Sequence, residues 1–137
     1  MAVTANSIIT PQTPKTYTAV ATTADVAFNA PVNVQTLVDD STNTNGVRLT
    51  QLYAITRATL AANLNCLIYK KVGSAYTLVD SALLGAVAPS ATVANGKVDF
   101  GLSEDSPVTV EAGTGLAVAI GTTITNGVTF RAQGGAY

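Results

Sequence analysis

Short runs of β-branched and other apolar residues recur along almost the whole chain, and they constrain its fold more than any other feature. They are separated by turn residues, and none sustains the three-to-four-residue period of an amphipathic helix. The runs are 16–21, 26–28, 32–38, 47–57, 64–71, 76–84, 97–102, 108–110, 116–120 and 128–132. We therefore predict an all-β chain.

Three Asn-Gly pairs predict tight turns between these runs. Both residue types tolerate the positive φ that the central residues of a type I′ hairpin turn require. The pairs are Asn45-Gly46, Asn95-Gly96 and Asn126-Gly127. Frequent turns favour antiparallel pairing, and about eight short strands are typical of a two-sheet sandwich of jelly-roll type or a related barrel.

Side-chain alternation predicts which face of a strand is buried. In the run 64–71, Leu64, Cys66 and Ile68 share one face, and residues 71–75 turn the chain into the second strand of a hairpin with one buried face. In the preceding run, the residues predicted on one side are Val47, Leu49, Tyr53 and Ile55, with Gln51 as the exception. Helix is the competing prediction for residues 55–64, which include three alanines.

The first fifteen residues differ from the rest because Pro11 and Pro14 interrupt them. Proline lacks an amide donor and fixes φ, so residues 1–15 are predicted to form an extended arm or a disordered terminus. Residues 16–137 are predicted to form a single sandwich domain, which suits a chain of 137 residues.

Charge and hydropathy limit the classes of partner. Charged residues make up 11% of the chain, against about 25% in an average domain. A net charge of −1 with scattered Lys and Arg offers no basic stripe, so nucleic acid is not an expected partner. No apolar run reaches the roughly 20 residues of a membrane span. Low charge weakens repulsion between copies and favours assembly.

The N-terminus and the cysteine content indicate a non-secreted product. The first seven residues have no basic start followed by an apolar stretch, so we predict no signal peptide and a chain kept in the cytoplasm. Cys66 is the single cysteine and has no partner for an internal disulfide.

The residue types that support catalysis are scarce. Histidine, the usual general base, is absent. Cys66 alternates with apolar residues and is predicted to be a buried structural thiol. The acidic pairs Asp39-Asp40 and Glu104-Asp105 flank turn residues, which favours solvated loop carboxylates over the acid and base of a glycosidase. We predict that the protein is not an enzyme.

Two loop sequences are similar to ligand-binding motifs but lack residues that those motifs need. Residues 41–46 place asparagine and glycine as a calcium loop does, yet Leu52 stands where the bidentate Glu is required. Gly113-Thr114-Gly115 has Val118 at the third glycine position of a dinucleotide loop, so a hairpin or corner is predicted. We predict no catalytic residue, metal, cofactor or small-molecule substrate.

Residues 106–120 and 126–137 give the chain a family resemblance. A proline, apolar alternation, a small-residue turn and an apolar strand precede a closing strand and a Gly-Gly-x-Tyr tail. In this pattern, and in the hairpin of residues 67–69 and 76–79, the chain resembles small virion structural proteins of tailed bacteriophages. The resemblance implies a head decoration or cement protein.

The resemblance also implies partners and a location. It implies a homotrimer that binds the major capsid protein on the outer face of the head, in a virion assembled after synthesis in the host bacterial cytoplasm. We expect the arm of residues 1–15 to help docking. The alternatives are a tail-tube, fibre or head-vertex component, a bacterial surface adhesin and a carbohydrate-binding module. An adhesin requires a secretion signal, and a sugar binder usually exposes Trp or Tyr.

Overall fold

The computed structural model describes residues 11–137, which form nine β-strands and no helix. The strands are β1 (Thr13–Ala21), β2 (Gln35–Val38), β3 (Val47–Thr56), β4 (Leu64–Val72), β5 (Ala75–Leu84), β6 (Lys97–Asp99), β7 (Val108–Val110), β8 (Gly115–Ile120) and β9 (Val128–Ala136). The first sheet has the order β1-β9-β3-β6, with β7 also paired to β3, and the second has the order β2-β8-β4-β5. The predicted all-β, two-sheet antiparallel sandwich is confirmed.

The core lies between the inner faces of the two sheets. Leu49 and Phe130 of the first sheet and Leu64 and Val118 of the second are at most 1% exposed. The chain crosses between the sheets at every step from β1 to β4. This strand order is compatible with the jelly-roll-like arrangement, which stays a prediction.

Nine of the ten predicted runs overlap a strand, and the run 26–28 does not. Those residues form a loop around the Asp25 carboxylate, so their apolar character does not reflect strand pairing. Residues 57–63, within the segment with the competing helix prediction, are irregular. There Leu60 is buried and forms a β-bridge with Val87.

A β-bulge in β3 makes the predicted buried face of this strand wrong beyond Leu49. The register with β9 shifts between Leu49 and Gln51, so one extra residue changes which side chains face inward. The side chains buried after the bulge are Leu52, Ala54 and Thr56, whereas Tyr53 and Ile55 are only half-buried.

The predicted backbone geometry of the Asn-Gly pairs is only partly correct. Gly46 and Gly127 have φ values of 97° and 80°, but Gly96 does not have a positive φ, and no asparagine does within residues 11–137. The tight hairpin turn joining β4 and β5 instead uses Gly73, whose φ is 60°. A positive φ at the first central residue, followed by a negative one at Ser74, is the pattern of a type II′ turn.

Part of the predicted N-terminal arm belongs to the sandwich. β1 begins at Thr13 and pairs with β9 over its full length, and the Gln12 amide donates to the Ala136 carbonyl at 2.9 Å. Pro14 is tolerated because β1 is an edge strand. The prediction for residues 1–10 falls outside the described residues.

Candidate functional site

The Cys66 thiol is buried between the sheets, as predicted, with 0% exposure. Burial raises its pKa to about 12. The thiolate is the nucleophilic form of cysteine, so this thiol is unreactive at neutral pH.

Ellman's reagent is expected to label Cys66 at pH 8 at least about 100-fold more slowly in the folded protein than in the unfolded chain. The reason is that burial excludes the reagent and suppresses the thiolate. The matched control is the same reaction in 6 M guanidinium chloride. Comparable rates in the two states would show that the thiol is accessible.

The two acidic pairs lie in loops, and three of their four carboxylates have structural partners. Asp39 accepts hydrogen bonds from the Ser41 amide at 2.9 Å and the Ser41 hydroxyl at 2.8 Å. Asp40 pairs with Lys71 at 3.0 Å, and Glu104 pairs with Arg48 at 3.3 Å. Within residues 11–137, no group of three or more Cys, Asp or Glu side chains could hold a metal ion.

Asn43, in the segment 41–46 that is similar to a calcium loop, connects two loops through hydrogen bonds. The Asn43 side chain is buried, and its amide donates to the carbonyls of Glu111 at 2.9 Å and Thr114 at 3.0 Å. Its Oδ1 accepts from the Gly46 amide at 2.9 Å. Residues 113–115 lead from β7 in the first sheet to β8 in the second, so the predicted hairpin or corner is a corner between sheets.

Tyrosine exposure bears on the carbohydrate-binding alternative, because a sugar binder usually exposes Trp or Tyr. None of the five tyrosines, all of which lie in the described residues, is exposed. The part of the chain that the structure describes contains no helix long and apolar enough to cross a membrane.

The outer face of the second sheet, which turns away from the core, is itself apolar. On it lie Leu67, Tyr69, Ala117 and Ala119, each at most 2% exposed, with Val34 and Tyr76 packed against them. The prediction of one buried face for the 64–84 hairpin is therefore wrong. The physical reason is that the irregular segment 22–34, which contributes Val34, folds over this face.

Asp25 holds the covering segment 22–34 in place. Its buried carboxylate accepts hydrogen bonds from the amides of Ala27 at 2.9 Å, Val32 at 2.7 Å and Asn33 at 2.7 Å. Desolvation alone raises the pKa of Asp25, but the three amides outweigh it, and the pKa lies below its ordinary value of 3.8. The carboxylate thus stays charged at neutral pH. Burial, and secondarily the charge of Asp25, raise the pKa of Tyr69.

Large apolar side chains are exposed on the covering segment and on the outer side of β5. Register with β4 places Leu78 opposite Tyr69 and Leu83 opposite Asn65, on the outer side of the sheet. The exposed fractions are 63% for Val26, 43% for Phe28, 81% for Val32, 36% for Leu78 and 60% for Leu83. We call these five residues the apolar patch. Exposed apolar side chains mark an interaction site where they form a continuous surface.

A cleft of 190 Å³ opens between the two sheets beside β5 and β7. Its inner wall consists of core residues, among them Leu52, Ile68 and Leu116. The residues Val79 and Val108 also line it and are 52% and 38% exposed. We call this space the inter-sheet cleft.

Comparison with known proteins finds no protein-family model that matches this chain and no curated protein similar to it.

Proposed function

We propose that the protein is a structural component of a virion, which decorates the outer surface of a tailed-phage head and stabilises it as a cement. The observation that favours an assembly role is the apolar patch on the outer side of the second sheet, where Val32 and Leu83 are at least 60% exposed. A surface of this kind is stabilised when a neighbouring protein covers it. The family resemblance narrows the assembly to a phage head.

The composition of the surface supports the same proposal. Charged residues make up 11% of the chain, so few long flexible side chains lose entropy when neighbours pack against it. The proposed partners are two further copies, in a homotrimer, and the major capsid protein. The protein acts in this proposal without a catalytic residue, cofactor or small-molecule substrate.

Electron cryomicroscopy of particles produced from the genome that encodes this chain tests the proposal. We expect density of the size and shape of a 13.9 kDa sandwich domain on the outer face of the head shell. Density confined to a tail tube, fibre or vertex would replace the head role with one of those alternatives. Absence of the chain from purified particles would refute a virion function.

Replacing Leu83 with aspartate is expected to disrupt self-association, because it introduces a charge into the apolar patch. Light scattering of the unmodified chain should give about three times the monomer mass of 13.9 kDa, and the variant should shift towards the monomer. The control is Val93→Asp, which places the same charge on an exposed valine outside the patch. An unmodified chain that remains monomeric at high concentration would contradict the trimer.

A further inference from the structure

Among residues 11–137, no strand pairs with the outer edge of β5. In the second sheet it pairs with β4 alone, and no backbone hydrogen bond links residues 75–84 to any other segment of the described chain. Seven of its ten residues are exposed, and Asp80 is its only charged residue. An edge strand of this kind offers backbone donors and acceptors to an added strand.

The inter-sheet cleft opens beside this same edge. The register between β4 and β5 shifts between Ile68 and Tyr69, which leaves Val79 as the extra residue of a bulge at the cleft. A strand added to β5 would project every second side chain towards the first sheet, and therefore towards the cleft. A cavity of about 150 Å³ accepts benzene, so 190 Å³ has room for one benzyl or isobutyl group.

The rim of the cleft carries the Asp80 carboxylate, which accepts a hydrogen bond from the Ser81 amide at 2.8 Å. Asp80 lies opposite Ile68 on the inner side of the sheet and has no ion-pair partner among residues 11–137. Lys70, which also lines the cleft, is already paired with Glu111 at 2.7 Å. A cationic residue in the added strand would complement Asp80.

We propose that β5 and the inter-sheet cleft bind an extended segment of a partner protein, which adds a strand to the second sheet and inserts one Phe or Leu side chain between the sheets. A Lys or Arg two residues from this apolar side chain lies on the same face of the added strand and reaches Asp80. Only the identity of the partner, a neighbouring protein of the particle, rests on the proposed function.

A second copy of β5 fits this edge poorly. Antiparallel pairing about the centre of Ala75–Leu84 places Asp80 of each copy opposite Val79 of the other. The strand β5 therefore supplies Val79 or Asp80 where Phe or Leu is needed, and it contains no Lys or Arg that could complement Asp80. The partner segment is therefore a different sequence.

Peptide titration of the full-length, ¹⁵N-labelled protein, followed by NMR, tests this proposal independently of virion assembly. The probes are acetylated hexapeptides of sequence TKVFVT, TKVAVT and TEVFVT, in which Lys or Glu shares a face with Phe or Ala. We expect TKVFVT to shift the amides of β5 and of the cleft residues. The Ala peptide should bind at least about tenfold more weakly, because it leaves the cleft unfilled.

Two variants separate the apolar site from the charge. Val108→Trp fills the mouth of the cleft and should abolish binding of TKVFVT while the far-UV spectrum is retained. We expect the unmodified protein to bind TKVFVT about threefold more tightly than TEVFVT, because Lys complements Asp80. Asp80→Lys should reverse this preference. Asp105→Lys, an equal charge change outside the cleft lining, should not.

The proposal is overturned if TKVFVT does not bind at millimolar concentration, if the Phe and Ala peptides bind equally, or if the shifts fall on the covering segment 22–34 instead of β5. If this protein binds the peptide but is absent from phage heads, strand addition is supported and only the virion role is refuted. If the protein is found on phage heads but binds no peptide, only strand addition is refuted.

Discussion

Replacing Asp25 with alanine is expected to lower the free energy of unfolding by about 3 kcal/mol, because three backbone amides lose a charged acceptor. The amides of Val32 and Asn33 belong to exposed residues and regain water contacts, which limits the cost. Urea denaturation of the variant and the unmodified chain measures the difference. The control is Asp105→Ala, the loss of an exposed loop carboxylate, which should change stability by less than about 0.5 kcal/mol.

The same substitution is expected to expose the outer face of the second sheet. Without the carboxylate, the segment 22–34 loses the hydrogen bonds that hold it in place, and it uncovers Leu67 and Tyr69. In the unmodified protein these two side chains are at most 1% exposed. Binding of the dye ANS to the native state should therefore increase in the Asp25 variant and not in the control. Equal stability and equal dye binding in the two variants would contradict the anchoring role of Asp25.

Stability should also depend on pH through Asp25. Its pKa is lower in the folded protein than the ordinary 3.8. The carboxylate therefore contributes its full stabilisation above the unfolded-state pKa, and this contribution is lost as the pH falls through the folded-state pKa. Measured from pH 7 to pH 2, the stability difference between the unmodified chain and the Asp25→Ala variant should narrow below about pH 4.

Local patterns were sufficient to predict most of the fold. Short β-branched runs separated by turns overlap all nine strands, with bounds that differ by up to four residues, and alternation placed Leu64, Cys66 and Ile68 in the core. The bulge in β3 was not predictable in this way, because one inserted residue reverses the inside and outside of everything after it. Gln51, the exception in the alternation, was the available signal.

The candidate surfaces were less predictable because they depend on contacts between distant segments. The run 26–28 has strand-like composition, yet it belongs to a loop organised by the neighbouring Asp25. Nothing in the spacing of Leu67 and Tyr69 indicates that a segment about 40 residues earlier covers them. The inter-sheet cleft likewise requires β5 and β7 to flank the same space, although these strands are in different sheets.

Replacing Asn43 with aspartate is expected to cost about 4 kcal/mol, the largest effect among these substitutions. The two side chains have nearly the same shape, so no cavity forms, but the carbonyls of Glu111 and Thr114 lose their donor and face a buried carboxylate. Asn45→Asp, at a half-buried neighbour, is the matched control and should cost less than about 1 kcal/mol. Urea denaturation at pH 7 measures both.

The loss of unfolding free energy caused by Asn43→Asp should also depend on pH. A buried carboxylate that faces carbonyls has a raised pKa, so the part of the penalty that is due to its charge is present at neutral pH and is lost as the pH falls below the unfolded-state pKa of about 4, where both states are protonated. The part that is due to the lost amide donors remains at low pH. A penalty that is equal at pH 7 and pH 3 would assign the effect to the lost amide donors instead of the charge. Because Asn43 ties the turn before β3 to the corner after β7, the variant should also weaken peptide binding at the inter-sheet cleft, whose wall includes Val110.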